Sequence, residues 1–258
     1  MIRTKVAAIT TVLALSLATL GQSHESQKKS QAHSDAPAVA PSVDQVINLY
    51  MGAVGGRAAW NKLESRVSMG TIEVKSMNLA GTIVIHEKAP DKILTIIVMA
   101  GSAYREGFDG KVGWADDPAD GLREQTGLEL EEAKRQGDFY SPFDLRDHYS
   151  KITMLGTEKL GERDTYVLEG TLAEGGQPDK LYFDSETGLP ARLISLHHGP
   201  DGTTQIQEDF SDYREVDGVK LPFKISQAGS ESAFTVQISE VHHNVPLEAG
   251  EFSKPAVQ

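Results

Sequence analysis

The segment Phe108–Gly121 (FDGKVGWADDPADG) places four aspartates within fourteen residues, a density that raises the question of a cation-binding loop. A helix-flanked calcium loop needs oxygen donors at positions one, three and five, glycine at six and glutamate at twelve. Counted from Asp116, position three is Pro118 and position twelve is Gly127; counted from Asp109, position three is the cation Lys111. Asp116, Asp117 and Asp120 therefore suit at most a weak cation site, and a solvated acidic loop is the favoured alternative. Asp109-Gly110 instead has the chemistry of a tight hairpin, which needs positive φ.

Histidines are the second candidates. His197-His198 and His242-His243 are adjacent pairs, and neighbours on a strand point to opposite faces, so each pair offers one imidazole per face. No HExxH occurs; His86-Glu87-Lys88 is only a fragment of it. The expectation is no metal site and no cofactor. Nucleophile elbows, SxxK sets, P-loops and dinucleotide glycine fingerprints are missing. Gly101–Gly107 is glycine-rich but lies between strand-like runs, which fits a hairpin better than a phosphate cradle. With no cysteine, disulfides, thiolate chemistry and Cys-ligated zinc are excluded. These residues point to a chain that is not an enzyme.

The elements that would position any site begin after a leader. Arg3 and Lys5 precede an apolar run from Val6 to Leu20, shorter than the ~20 residues that span a bilayer. This reads as a signal peptide over 1–22, cleaved between about Ala18 and Ser23, with an uncleaved anchor as the alternative. Either way the body lies outside the cytoplasm, periplasmic or secreted. Residues 23–41 are polar and rich in Ala, Pro and Ser, a disordered linker. The formal charge of −12 becomes −14 when Arg3 and Lys5 leave with the leader. That field repels phosphate backbones and anionic head groups, so no nucleic-acid partner and at most transient membrane contact are expected.

Residues 42–258 form one domain. Ser42 and Gln45 have capping-box spacing, and Val43, Val46, Ile47, Tyr50, Met51 and Val54 make one helical stripe. A second short helix over Arg57–Leu63 carries Trp60. Strand patterns follow near 67–76, 80–87, 92–100, 103–109 and 111–115. A helix is expected over 128–138 with a looser turn to His148. Strands resume near 151–159, 163–171, 178–184, 189–197, 203–213, 219–228 and 232–243. Short turn signals join most of them, among them Asp109-Gly110, Ser185–Gly188, Asp201-Gly202 and Asp217-Gly218. Ile83–Ile85 and Ile93–Met99 are nearly continuous apolar runs, so both faces of those strands should be covered. Two readings of that apolar surplus stay open: an ordinary core beneath the helices, or a lined apolar pocket. The fold class is mainly β with helices (α+β).

Three stretches resemble the bacterial lipoprotein-localisation factors, the LolA/LolB-like superfamily. They are Asp109–Pro118 with its D-G-x-x-x-W-x-x-x-P spacing, Leu181–Arg192 with its acidic turn and TGLP, and the N…F…P tail of Ile238–Pro255. The resemblance implies a single curved antiparallel sheet, a half-open barrel of about 11–12 strands, with helices covering its concave face. It implies a monomeric periplasmic carrier for a lipid or lipoprotein acyl chain, a hydrophobic or amphiphilic ligand. An envelope sensor or protein-interaction module, and a hydrolase with an unrecognised site, are the alternatives. The apolar residues proposed to line the cavity are Trp60, Ile83, Ile85, Leu94, Ile96, Val98, Phe108, Trp114, Tyr182 and Leu193. In the family an arginine of the sheet is thought to hold the lid shut; Arg66 and Arg105 are the candidates here. The acidic pair Asp116-Asp117 departs from the aromatic residues usual at that point.

Overall fold

The computed structural model describes residues 40–141, 145–173, 177–200, 202–229 and 233–256. The expected signal peptide, the linker up to residue 39 and Asp201 of one expected turn lie outside the described residues. None of the described helices is long and apolar enough to cross a membrane.

Ser42 caps α1 (Val43–Ala53) as its spacing predicts. Its Oγ accepts from the Gln45 N–H at 3.2 Å, and Gln45 Oε1 accepts from the Ser42 N–H at 2.8 Å. The stripe then buries Val46, Ile47 and Tyr50. Gly55 turns the chain into α2 (Arg57–Trp60) at φ 112°. A Cβ there would stand 2.3 Å from the Gly218 carbonyl oxygen, so the corner needs glycine.

The strands are β1 (Ser65–Val74), β2 (Leu79–Lys88), β3 (Lys92–Met99), β4 (Ser102–Phe108), β5 (Gly113–Asp117) and β6 (Gly121–Glu124). Helix α3 (Gly127–Gly137) follows, then β7 (Tyr149–Leu160), β8 (Arg163–Leu172), β9 (Asp179–Asp184), β10 (Pro190–Gly199), β11 (Gly202–Val216), β12 (Val219–Ala228) and β13 (Ala233–His243). Among the described residues these make one antiparallel sheet ordered β6-β5-β4-β3-β2-β1-β13-β12-β11-β10-β9-β8-β7. It is a mainly β fold with a single sheet that does not close into a barrel. The strand expected at 111–115 begins at Gly113, and β6 escapes sequence reading because four residues with one apolar side chain carry no alternation.

Strand alternation separates two cores. Ile72, Val74, Ile83, Ile97, Phe223 and Val236 face the helices, joined by Trp60 and Phe139. Val67, Leu94 and Trp114 point the other way and pack with Leu247 and Phe252 of the C-terminal tail. This second layer explains the continuous apolar runs of β2 and β3: both faces are covered, as the sequence requires. The Trp114 Nε1–H donates to the Phe252 carbonyl at 2.8 Å, tying the tail to β5. Opposite Trp114 stands Gly107, where a Cβ would lie 2.6 Å from the indole ring.

The opening segment thus resolves into two turns. Asp109 Oδ1 accepts from the N–H groups of Lys111 (2.9 Å) and Val112 (2.8 Å), and Asp117 Oδ1 accepts from Ala119 N–H (2.6 Å). Among the described residues no group of three or more His, Asp or Glu is placed to hold a metal ion.

Phe252 is fully buried and seals the second core. Phe252→Ala should lower unfolding free energy by about 3–5 kcal/mol in urea denaturation followed by circular dichroism. A loss below about 1 kcal/mol would show that the tail is not part of the folded core.

Candidate functional site

Because β6 and β7 are opposite edges of the sheet, the chain between them crosses a face, and α3 makes that crossing. Its Glu132 accepts from the His198 backbone N–H on β10 at 3.1 Å and meets the His197 Nδ1 at 3.0 Å. Its C-terminal end lies against the β2–β3 and β4 region: a Cβ on Gly137 would come 2.9 Å from the Phe108 ring and 3.0 Å from the Asp91 carbonyl. Phe139 N–H then donates to the Pro90 carbonyl at 3.0 Å, and Tyr140 Oη donates to the Leu63 carbonyl at 3.1 Å.

Beneath this strap lies a cavity of about 210 Å³ walled by Ile72, Ile83, Ile85, Ile97, Ile225 and Val236, with Glu106, Glu208 and Gln136 also on its wall. The wall draws on strands from β4 to β11, seven neighbours in the sheet. At about 4.8 Å per step, a flat sheet would separate β4 from β11 by roughly 29 Å. A void of that volume can touch both only because the sheet curls around it. A second cavity of about 360 Å³ shares Glu208 and Gln136 and is lined by Tyr50, Glu132, Tyr149, Asp179, Leu181 and Leu193 among others. A third, of about 330 Å³, also meets Gln136 and lies beside Trp60, Arg66 and Phe139. The three adjoin along α3; the second and third fall near the lower end of the ~300–1,000 Å³ typical of ligand sites, and the first is smaller.

The polar groups on this wall are carboxyls. Burial pushes Glu106 up to about 7, with Glu132 adding repulsion, while the amide of Gln125 donates to its carboxylate and opposes the rise. Burial raises Asp179 to about 6 although Tyr149 Oη donates to it at 2.8 Å. Glu208, 6 % exposed, is held well above the carboxylate range by burial, then by the charges of Glu132 and Asp209. Chemically the site offers aliphatic burial with a few carboxyl hydrogen-bonding groups.

No protein-family model and no curated protein sequence matches this chain. Solved structures do. A DUF1329 family protein from Desulfovibrio piger matches with a TM-score of 0.56 at 16% identity, over 82% of this chain and 97% of that one. The LolA superfamily protein NE2245 from Nitrosomonas europaea gives 0.54 at 13% identity, over 83% and 99%. A domain designated for outer membrane lipoprotein sorting from Vibrio parahaemolyticus gives 0.52 at 14%, over 81% and 95%.

The fold is LolA-like.

Within this LolA-like fold the ten residues expected at the cavity divide. Ile83 and Ile85 line the first cavity, Leu193 the second and Trp60 the third. Phe108 is buried against α3. Leu94, Ile96 and Trp114 lie in the opposite core with the tail, Val98 on the same side is 44 % exposed, and Tyr182 alternates away from the inward Leu181 and Phe183. One strand parity separates the two sets, and sequence alone does not say which parity of β3 faces the helices. Arg66 sits on the helix-covered face: it pairs with Glu87 at 2.5 Å and lies 5.7 Å from the Trp60 ring and 5.8 Å from Phe139. Arg105 instead pairs with Asp116 at 3.2 Å on the opposite face, in the register that places Gly107 against Trp114. The histidine pairs meet separate partners, His197 with Glu132 and His198 with Thr203, His242 with Glu240 and His243 with Asp217.

Sequence reading passed over Glu106 and Glu208. Each sits at an inward position of a strand, flanked two residues away by buried Tyr104 and Phe108 or by Ile206, and a carboxylate within an apolar alternation is the signal that could have found them.

Raised carboxyl values give a sign to pH dependence. The unfolded chain loses the Glu106 proton near the ordinary value of 4.5 while the folded protein keeps it to about 7, so stability falls as pH rises through that window. Thermal melting should show this decline, and Glu106→Gln should flatten it by on the order of 1–3 kcal/mol. A variant with an unchanged slope would remove Glu106 as its source.

Proposed function

We propose that this protein binds the acyl chain of a lipid or lipoprotein in the cavity between the curled sheet and α3, outside the cytoplasm and without catalysis. The observation that carries this reading is the isoleucine-walled cavity roofed by a helix that only crosses the face. A methylene moved there from water gains about 0.8 kcal/mol, so ten methylenes offer roughly 8 kcal/mol before ordering costs. An aliphatic wall of this kind rewards burial of a hydrocarbon chain. The neighbours with the same fold, a LolA superfamily protein and a lipoprotein-sorting domain, support the reading at the level of fold alone. The carrier is expected to act in the periplasm or beyond, as the leader-like N-terminal sequence suggests.

Native mass spectrometry of protein purified from the cell envelope should show a co-purifying lipid, and the delipidated protein should take up the neutral apolar fluorophore N-phenyl-naphthylamine. Ile85→Glu, which places a charge on the cavity wall, should weaken uptake by about tenfold or more. Ile96→Glu on the opposite face should leave it within about twofold. Absence of both lipid and uptake, or full uptake by a folded Ile85→Glu protein, would overturn the proposal.

A further inference from the structure

Glu208 stands where the first two cavities meet: it lines both, is 6 % exposed, and its side chain has no hydrogen bond or ion pair with any described residue. Its cross-strand neighbours are Leu193 and Gln227, neither a cation. Glu132 of α3 shares the second cavity and Glu106 of β4 shares the first. Charged groups nearby are otherwise engaged. His197 meets Glu132, Asp209 pairs with Arg192 at 2.5 Å, and Arg135 at the second cavity acts on Asp179. A buried carboxyl without a partner is costly unless something else satisfies it.

We infer that the cavity selects an amphiphile with a cationic amine head, its alkyl chain against Ile72, Ile83, Ile85 and Ile97 and its ammonium beside Glu208. This rests on the acyl-chain reading above and deepens it by naming the head group. An ammonium beside Glu208 gains a charge-assisted hydrogen bond, and Glu132 on the wall of the second cavity and Glu106 on that of the first add negative charge on either side. On entry the cation favours the ionised form of Glu208, whose proton leaves to solvent, and a buried like-charged wall becomes a paired one. A fatty-acid carboxylate would meet the same wall with the wrong sign, and an alcohol would gain only a neutral hydrogen bond.

The test is displacement of the neutral fluorophore N-phenyl-naphthylamine from the delipidated protein by dodecylamine, dodecanol and dodecanoate. Dodecylamine should displace at about tenfold lower concentration than dodecanol, with dodecanoate weakest. Glu208→Gln, nearly isosteric and checked for an unchanged circular dichroism spectrum, should cut the amine's advantage to about threefold or less while leaving dodecanol unaffected. Glu106→Gln provides a second variant with the same direction of change. Equal displacement by all three amphiphiles would overturn the head-group inference and leave the acyl-chain reading standing. An amine advantage intact in both variants would overturn the role of the carboxyls, and no probe uptake or displacement at all would overturn both readings.

Discussion

Strands β6 and β7 follow one another in the chain yet form the two outer edges of the same sheet, so the polypeptide between them must traverse a face. The crossing is a helix of eleven residues, about 16 Å at 1.5 Å per residue, extended at its C-terminal end by the Phe139-Tyr140 segment. A crossing this short reaches from β10 to the β2–β4 region only if the sheet curls and brings those strands toward one another. Curling and crossing are therefore one constraint. It leaves α3, beside the short α1 and α2, where a flat sheet would need a full layer, and the space that these helices do not fill is the cavity.

The way α3 is held follows from the same economy. Its attachments come from its middle and its C-terminal end: Glu132 on the β10 backbone and His197, then Gly137, Phe139 and Tyr140 on the opposite wall. Between them, Gln136 looks down on three adjoining voids. The helix is amphipathic only weakly, burying Glu132, Ala133 and Gly137 and no large apolar side chain. Its docking depends on hydrogen bonds and close backbone approach more than on aliphatic packing, which keeps the isoleucine wall beneath it uncovered. The carboxyls on that wall sit in the low-dielectric space the strap creates, and burial there raises them.

The opposite face shows what happens when a sheet is filled instead. Leu94, Ile96 and Trp114 are covered by Leu247, Phe252 and Val245 of the tail, and the Trp114 indole occupies the room that Gly107 leaves by lacking a side chain. Both faces of β3 are thus apolar for different reasons, one sealed by the chain's own tail and one left open under a helix. This is why the strand residues Ile83 and Ile85 meet the cavity while the equally apolar Leu94 and Ile96 belong to the sealed core.

Much of this architecture was legible in the residues. The Ser42–Gln45 box, the α1 stripe, the Asp-Gly turns and twelve of the strand segments follow from local rules: side-chain caps, periodicities of 3.6 and 2, and positive-φ turn residues, each acting over a few positions. Within Phe108–Gly121, Asp109 declares itself as a turn former, because an Asp side chain reaches its own backbone two and three residues on. The short β6 did not, having too little alternation to read. What the tertiary structure alone decided is parity and closure. Ile83 and Leu94 are equally apolar and both strand-borne, yet one faces a void and the other the tail, because a strand's inward face is set by its partners across the sheet. Glu208 carries only the hint of its spacing from Ile206, and its burial is decided when β10, β12 and α3 close around it. Local propensity acts along the chain; which surfaces meet, and what space they leave, depends on contacts between residues far apart in it.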